Sequence, residues 1–531
     1  MSLLTSQDAG RDSAVVTDIS ARTVRWIVVL LVLLGAFLRF YRLGAQSLWV
    51  DELLTISAAN IGGTLGRGAL SNIQGPLHAV LIHFIARLST SEVALRGLSA
   101  LAGTATIPVV YLLGRDMAGR RTGLVAATLI TVSPFAVWYS QEVRNYALLI
   151  FLASVSTLAA WRIMVAGTRS WRSYAVTMTL ALYSNLSAAF LWLAHALFGL
   201  GRLARMHRVM KWAATCVIIG LLVVPLMMAL ANWVEVDSVS ERVVVAPLAD
   251  EGLLLRGATT FSPMAIPYSF YTFVYGYSLG PSSAELHTQA PLRAFVPYLW
   301  FVIPAGLLAA AVFVIGFTRL WKDGAAGRLV TSVVAVPFAA AAGLALLNIK
   351  PFNVRYVAVV LPVVVIVLAA GLASQPLRRR AWLWGGVVLF SLWSLSNYFF
   401  VPEYSREDLR GAAHYVASAE RPGDVVLVPS VGDVFAYYFD GAAGIFAVYR
   451  SDTATEERLT AAVQAGTTGR ARLWFVNSRL WRMDEQLRTP GFLDERYREL
   501  DRHELAGATV VLYDLNEPPA AASEDGPLAE E

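Results

Sequence analysis

The chain has 531 residues, 56 per cent of them apolar and only 15 per cent charged, with a mean hydropathy of +0.55. A soluble domain averages about 45–50 per cent apolar and about 25 per cent charged, so a disordered chain is excluded and an ordinary soluble enzyme is disfavoured. The formal charge of +5 averages two unlike parts: residues 1–400 carry 30 bases and 15 acids, and residues 401–531 carry 13 arginines and 23 acids, which predicts two differently built segments.

In chain order, residues 1–23 read as a polar cytoplasmic tail. Apolar runs predict eleven membrane-spanning helices, near 24–41, 91–114, 122–139, 144–163, 173–184, 186–203, 211–231, 293–318, 328–348, 354–374 and 382–400. A span needs about 20 mostly apolar residues; the pair at 173–203 is short and broken at Ser184-Asn185. A cleaved signal peptide is disfavoured, because many similar runs follow the first. The single cysteine, Cys216, lies in an apolar run and reads as a small buried hydrophobe, with no intrachain disulfide and no Cys-based metal site.

Charge sets the orientation. With eleven spans and a cytoplasmic N-terminus, 19 of the 30 bases before residue 401 fall on cytoplasmic segments, and every such segment has at least three. The positive-inside rule explains these short clusters better than nucleic-acid binding does. The apolar helix 76–88 is therefore placed as interfacial or re-entrant, since a full span there would turn every later cluster outward. The domain plan is a membrane domain over 24–400 with outer loops 42–90 and 232–292, a soluble domain over 401–514 and a disordered tail over 515–531. In the soluble part, β-rich runs (Val425–Val428, Ile445–Tyr449, Leu473–Val476, Thr509–Tyr513) alternate with helical patterns (Asp408–Ser418, Thr455–Gln464, Asp484–Arg502). That predicts a small α/β extracytoplasmic domain after a polytopic α-helical membrane domain. It has no Gly-rich phosphate fingerprint.

Between residues 24 and 231 there are five acids, Asp51, Glu52, Glu92, Asp116 and Glu142. Acids near a membrane are costly and mark function. Asp116 lies among cytoplasmic arginines and reads as structural. Glu92 opens a span, where an acid favours the helix dipole. Asp51 and Glu52 follow Trp49-Val50. Adjacent residues on a helix point apart, so one acid can serve as general base while the other orients it or binds a metal or a hydroxyl; a solvated helix start is the plain alternative. Glu142 either pairs with Arg144 or adds a second carboxylate to the Asp51 site. His78 and His83 are five apart and make a poor metal pair. Lys350 and Arg355 are two outer bases in a very short loop, so they serve either as a phosphate anchor or as snorkelling side chains. The aromatic stretch Pro267–Tyr277 reads as an interfacial belt, or as a wall for a sugar or a lipid.

Together these residues resemble a family. The run Phe37-Leu38-Arg39-Phe40-Tyr41-Arg42-Leu43, followed by Ser47-Leu48-Trp49-Val50-Asp51-Glu52, resembles the first outer loop of C-type (GT-C) membrane glycosyltransferases. It looks nearest to the bacterial branch of protein O-mannosyltransferases and lipid A aminoarabinose transferases. Gly75-Pro76-Leu77-His78, Ser133-Pro134 leading into Ser140-Gln141-Glu142-Val143-Arg144-Asn145-Tyr146, Gly276-Tyr277-Ser278-Leu279-Gly280-Pro281 with Glu285-Leu286-His287, and Arg355-Tyr356 before Pro362 match in order. Relatives commonly read Pro-Pro-Leu-Tyr where this chain has Gly75-Pro76-Leu77-His78, a departure that bears on pocket shape and sugar identity.

The resemblance implies inverting transfer of a sugar from a polyprenyl-phosphate donor to a lipid, glycan or protein hydroxyl, on the outer face of a bacterial inner membrane. It carries the base to Asp51, with Glu52 assisting, and maps the second motif acid to Glu142. Arg355, with Lys350, is inferred to hold phosphate. His78, Arg144, Tyr146 and Tyr356 are the remaining candidate substrate-binding residues. Some relatives use a divalent cation, Mg or Mn, for which Asp51 and Glu142 are the candidate ligands; others do not. The rival reading, a transporter or lipid flippase, usually places charges at mid-membrane in repeat-related helices, whereas these sit at span ends and no repeat is visible.

Overall fold

The computed structural model describes residues 20–59, 75–201, 206–244, 261–289, 291–480, 483–484 and 486–518. The expected N-terminal tail up to residue 19, residues 60–74 and 245–260 of the two long loops, and all of the expected disordered tail after residue 518 lie outside them.

Among the described residues, eight helices are long and apolar enough to cross a bilayer. The pair Arg120–Thr131 and Pro134–Ser140, bent by 54° at a short break, is either a ninth, broken span or a re-entrant loop. The bend follows from Ser133-Pro134: proline cannot continue the i to i−4 ladder, and Ser133 restarts the helix by accepting the amide of Ala136. The carbonyls freed at the break are taken by Arg39, which donates to Ile130 and Thr131 at 3.0 and 3.2 Å from full burial. This gives the arginine of the first motif a structural task.

The expectation of eleven spans is corrected to eight, or nine with the bent pair, among the described residues. Trp171–Ser184 has 14 residues and Ala188–Leu200 has 13. At 1.5 Å per residue each reaches only about 20 Å, against about 30 Å of hydrocarbon. Pro76–Ala86 has 11 residues and is also too short to span. The expected loop 232–292 is partly helical: Met206–Val244 runs through its start, and Ala265–Tyr275 and Ser283–Thr288 lie further on.

Burial sorts the spans. Val354–Ala373 and Tyr146–Met164 are almost wholly enclosed, while Ala21–Phe40 presents Trp26, Leu30, Leu33 and Phe37 outward, as lipid contact requires. The enclosed 354–373 segment meets Leu299–Lys322 at glycines: a Cβ on Gly316 would lie 1.8 Å from the Val367 carbonyl, and one on Gly371 2.2 Å from that of Val312. Small residues of this kind let membrane helices approach closely.

The soluble part is a five-stranded sheet in the order β2-β1-β3-β5-β4. Its strands are β1 (Val425–Leu427), β2 (Gly444–Phe446), β3 (Arg472–Asn477), β4 (Arg498–Leu505) and β5 (Ala508–Asp514). β2, β1 and β3 are parallel; β5 and β4 are antiparallel. Alternation along the strands feeds two cores. Val426, Trp474 and Val476 pack with Leu409, Val416 and Phe435 on one face, and Leu427, Leu473 and Phe475 pack with Leu459, Val463 and Phe492 on the other. The helical expectation for Asp484–Arg502 is corrected. Only Arg488–Asp494 is helical, and Arg498–Leu505 is an edge strand. Seven of its eight residues are exposed, and five carry charge. A charged edge blocks pairing with other chains, and with no buried face it shows no period of two.

The two ends of the bundle differ in charge. At one end Asp116 pairs with Arg115 and Arg162 at 2.7 and 2.8 Å. At the other, the segment leaving the last span, Leu377–Phe400, docks the soluble domain onto the loop after the first span: Ser47 donates to Asp408 and the Leu48 amide to the Tyr438 hydroxyl.

Candidate active site

The site is built at the docked end. Helix Val50–Ala58 starts at Trp49 and places Asp51 and Glu52 in its first turn, where the helix dipole favours acids. One residue along a helix is about 100°, so the two carboxylates diverge.

Glu52 turns inward and is fully buried. Its Oε1 accepts from Arg96 Nε at 2.9 Å and the Val143 amide at 2.7 Å. Its Oε2 accepts from Arg96 Nη2 at 2.9 Å and Arg406 Nη1 at 2.7 Å. Burial alone raises the carboxyl pKa, but Arg406 and Arg96 together hold it below the ordinary value. Glu52 therefore stays charged, with both oxygens engaged. Arg96 also donates to the carbonyls of Leu43, Gln46 and Ser47, fixing the loop that leads to Asp51.

Asp51 turns the other way and remains 22 per cent exposed. Its Oδ2 accepts from Arg355 Nη1 at 2.8 Å, with Arg144 Nη2 at 3.6 Å. Arg144 Nη1 also donates to the Asp51 carbonyl at 2.8 Å and to the Thr55 hydroxyl at 3.1 Å. Arg355 opens a 3-10 turn, Val354–Val360, whose start is capped by the Asn353 side chain. Tyr356 lies under both cations, with Lys350 Nζ and the Arg355 guanidinium each 5.6 Å from its ring centre. Tyr146 is buried, and the Arg144 guanidinium sits 5.8 Å from its ring.

Glu142 lies in the turn between the bent pair and Tyr146–Met164. Of the two alternatives for Glu142, pairing with Arg144 or joining the Asp51 site, the structure shows it at the site with its Oε1 accepting from Arg406 Nη2 at 2.8 Å. Its Oε2 is buried without a partner. Burial pushes this carboxyl up to about 7; Arg406 opposes the rise, and the charge on Glu52 adds to it. His78 has both ring nitrogens buried and unpartnered. Burial, and then the charge of Arg144, push it down to about 3, so it is a neutral imidazole. Gly75 brings this helix start close to the same turn, since a Cβ there would fall 2.4 Å from Asn145 Nδ2.

The structure thus brings Asp51, Glu52, Glu142, His78, Arg144, Tyr146, Arg355 and Tyr356 together, with Lys350 at the rim. Glu92 is tied nearby to Arg96 and Arg410 at 3.3 and 3.0 Å, beyond its role as a helix-start acid. Arg96 and Arg406 were missed in the sequence. Arg96 had a faint signal, a charged residue inside an apolar span four positions after Glu92; Arg406 had none beyond its place at the domain junction.

Among the described residues, the two candidate ligands Asp51 and Glu142 do not assemble a divalent-ion site. Asp51 and Glu142 each face a guanidinium, and among the described residues no group of three His, Cys, Asp or Glu side chains is assembled that could hold a metal. The aromatic stretch, helix Ala265–Tyr275, lines an apolar cavity of about 1150 Å³ with Tyr268, Phe270 and Tyr271 on one wall and Leu299, Val302 and Leu368 on another.

Residues 74–228 match the family described as dolichyl-phosphate-mannose-protein mannosyltransferase. No curated protein matches the sequence. Among solved structures, ArnT from Cupriavidus metallidurans in the apo state is similar at 13 per cent identity and a TM-score of 0.53, over 94 per cent of this chain and 99 per cent of that one. The same protein bound to undecaprenyl phosphate matches at 13 per cent and 0.53, over 92 and 98 per cent. The oligosaccharyltransferase of Archaeoglobus fulgidus in the apo form matches at 12 per cent and 0.50, over 96 and 76 per cent. At these identities the structural likeness concerns the fold.

Two predictions follow from the burial of the two glutamates. Glu52→Gln leaves two buried arginines without their shared counter-charge, and breaking such a pair costs about 3–5 kcal/mol; a thermal unfolding series in detergent should show a large drop in midpoint. Glu142 has a folded pKa near 7 against 4.5 for the free group. A raised pKa contributes stability that is present below the unfolded value and lost as pH rises through the folded one, here across pH 4.5 to 7. The stability of Glu142→Gln relative to wild type should therefore improve by up to about 3 kcal/mol between pH 5 and pH 8, and a flat difference would refute the raised pKa.

Proposed function

We propose that this chain is a polytopic membrane glycosyltransferase related to the family matched at residues 74–228, and that it moves a sugar from a polyprenyl-phosphate donor to an acceptor hydroxyl with inversion at the anomeric carbon. The undecaprenyl phosphate bound by the Cupriavidus ArnT supports the donor class. The observation that carries the reading is the Asp51–Arg355 pair at 2.8 Å, which joins a partly exposed carboxylate to a guanidinium 304 residues away. Around it lie the buried unpartnered atoms of Glu142, His78 and Arg355, and polar atoms without partners are costly unless a polar ligand meets them.

In the proposed reaction Asp51 takes the proton of the acceptor hydroxyl as its oxygen bonds to C1. The bond from C1 to the phosphate oxygen breaks on the opposite face, and polyprenyl phosphate leaves with the electron pair. Arg355, with Lys350 at the rim, receives the phosphate charge, and a planar guanidinium suits two phosphate oxygens. Donor phosphate competes with Asp51 for Arg355, so donor binding frees the base for the acceptor. Glu52, saturated by two arginines, assists by fixing the helix that carries Asp51. Neutral His78, Arg144 and Tyr146 contribute polar and aromatic surface for the sugar. Lipid, glycan and protein hydroxyls all satisfy this chemistry as acceptors. The base-rich far end supports an orientation with the site on the outer face of a bacterial cell membrane.

The test is reconstitution with a panel of radiolabelled polyprenyl-phosphate sugars, comparing wild type with Asp51→Asn. Loss of a positioned base costs about 10²–10⁴-fold in kcat. Transfer at the wild-type rate by Asp51→Asn would remove the base assignment, and no transfer from any donor by the wild type would remove the function.

A further inference from the structure

The soluble domain is docked by more than packing. Arg406, in the segment between the last span and the domain, is 7 per cent exposed and donates to two buried carboxylates from its two terminal nitrogens: Glu52 at 2.7 Å and Glu142 at 2.8 Å. Among the described residues it is the one hydrogen-bond partner of Glu142. Its plane lies 5.8 Å from the ring of Trp49, and Arg479, just past β3, lies 5.7 Å from the same ring. Two arginines of the soluble side thus approach the same ring of the first membrane loop.

Neighbouring contacts fix where Arg406 can be. Its amide donates to the Gln46 side chain at 3.3 Å. Arg410 donates to Glu92 at 3.0 Å and to the carbonyl of Ala45 at 2.9 Å. The Tyr438 hydroxyl donates to Glu92 at 2.6 Å, and Val50 and Leu53 pack against the soluble core beside Val431 and Tyr438. Val431 and Arg479 follow the carboxyl ends of the parallel strands β1 and β3, the edge at which open α/β sheets bind ligands. In this chain that edge is seated on the helix that carries Asp51.

We propose that the soluble domain is a working part of the reaction centre, and that Arg406 is a positioning residue holding Glu142 and the Asp51–Glu52 helix in register. It acts through these carboxylates. Without it, Glu52 keeps Arg96 and the Val143 amide, whereas Glu142 loses the one side-chain hydrogen bond it makes among the described residues. This rests on the transfer reading above, and the test keeps the two separable.

The experiment uses the full-length protein in lipid nanodiscs, with Arg406→Gln, Arg406→Lys, Glu142→Gln and the double variant Arg406→Gln/Glu142→Gln. Two readouts are taken: amide hydrogen exchange over 50–58 and 141–145, and kcat and KM with whichever polyprenyl-phosphate sugar the wild type uses. Misplacement of a reacting group by about 1 Å costs on the order of 10²-fold, so Arg406→Gln should lose kcat on that order with donor KM little changed. Arg406→Lys should recover part of it. The double variant should be no slower than Glu142→Gln alone, because the arginine acts through that carboxylate. Exchange in both segments should quicken in Arg406→Gln. Unchanged exchange, unchanged kcat or fully additive losses would each overturn the proposal. Where Arg406→Gln fails to fold, the same cycle is run with Arg406→Lys and judged by the same outcomes. A wild type that transfers no sugar would defeat the function reading, and the exchange result would still decide the clamp.

Discussion

The saturated carboxylate of Glu52 is the contact on which the docked end depends. It draws together the loop after the first span, the arginine of the second span, the turn at Val143 and the entry to the soluble domain. A buried ion pair adds little net stability compared with an apolar replacement, but one partner left alone is costly. Such a group specifies geometry. With Glu52 fixed, the divergence of neighbouring helical residues leaves Asp51 partly exposed and facing Arg355.

That division makes chemical sense of two adjacent acids. One is locked and ionised; the other is held by a single close guanidinium. Glu142 completes the contrast. It is as buried as Glu52 but shares only one arginine nitrogen, so its carboxyl rises toward neutrality while that of Glu52 falls. Three carboxylates within one cluster thus have three different electrostatic settings, and environment rather than residue type sorts their roles.

Much of this was legible in the sequence because membranes write strong signals. Apolar length gave the eight spans, or nine with the bent pair, to within a few residues, and the segregation of bases placed the acids at the opposite end. What failed had physical causes. The helix at 188–200 is apolar but too short, and that at 171–184 is short and has polar Arg172 and Ser173 in its first turn; composition alone does not weigh length strictly enough. The strand Arg498–Leu505 has no buried face, so it carried no alternation to read. Asp51, Glu142 and Arg355 stood out in the sequence because acids, and bases away from the basic clusters, are rare in such a chain, and the structure brings them together. Arg406 was invisible because arginines are common in the soluble part, and its importance lies in a contact 354 residues distant in sequence from Glu52.

The central claim is that donor phosphate and Asp51 compete for Arg355. An experimental structure of the protein with undecaprenyl phosphate bound tests this most directly. The account predicts the phosphate on the Arg355 guanidinium and the Asp51 carboxylate released from it, with Glu52 still held by Arg96 and Arg406. A phosphate bound elsewhere, with the Asp51–Arg355 pair intact, would contradict it.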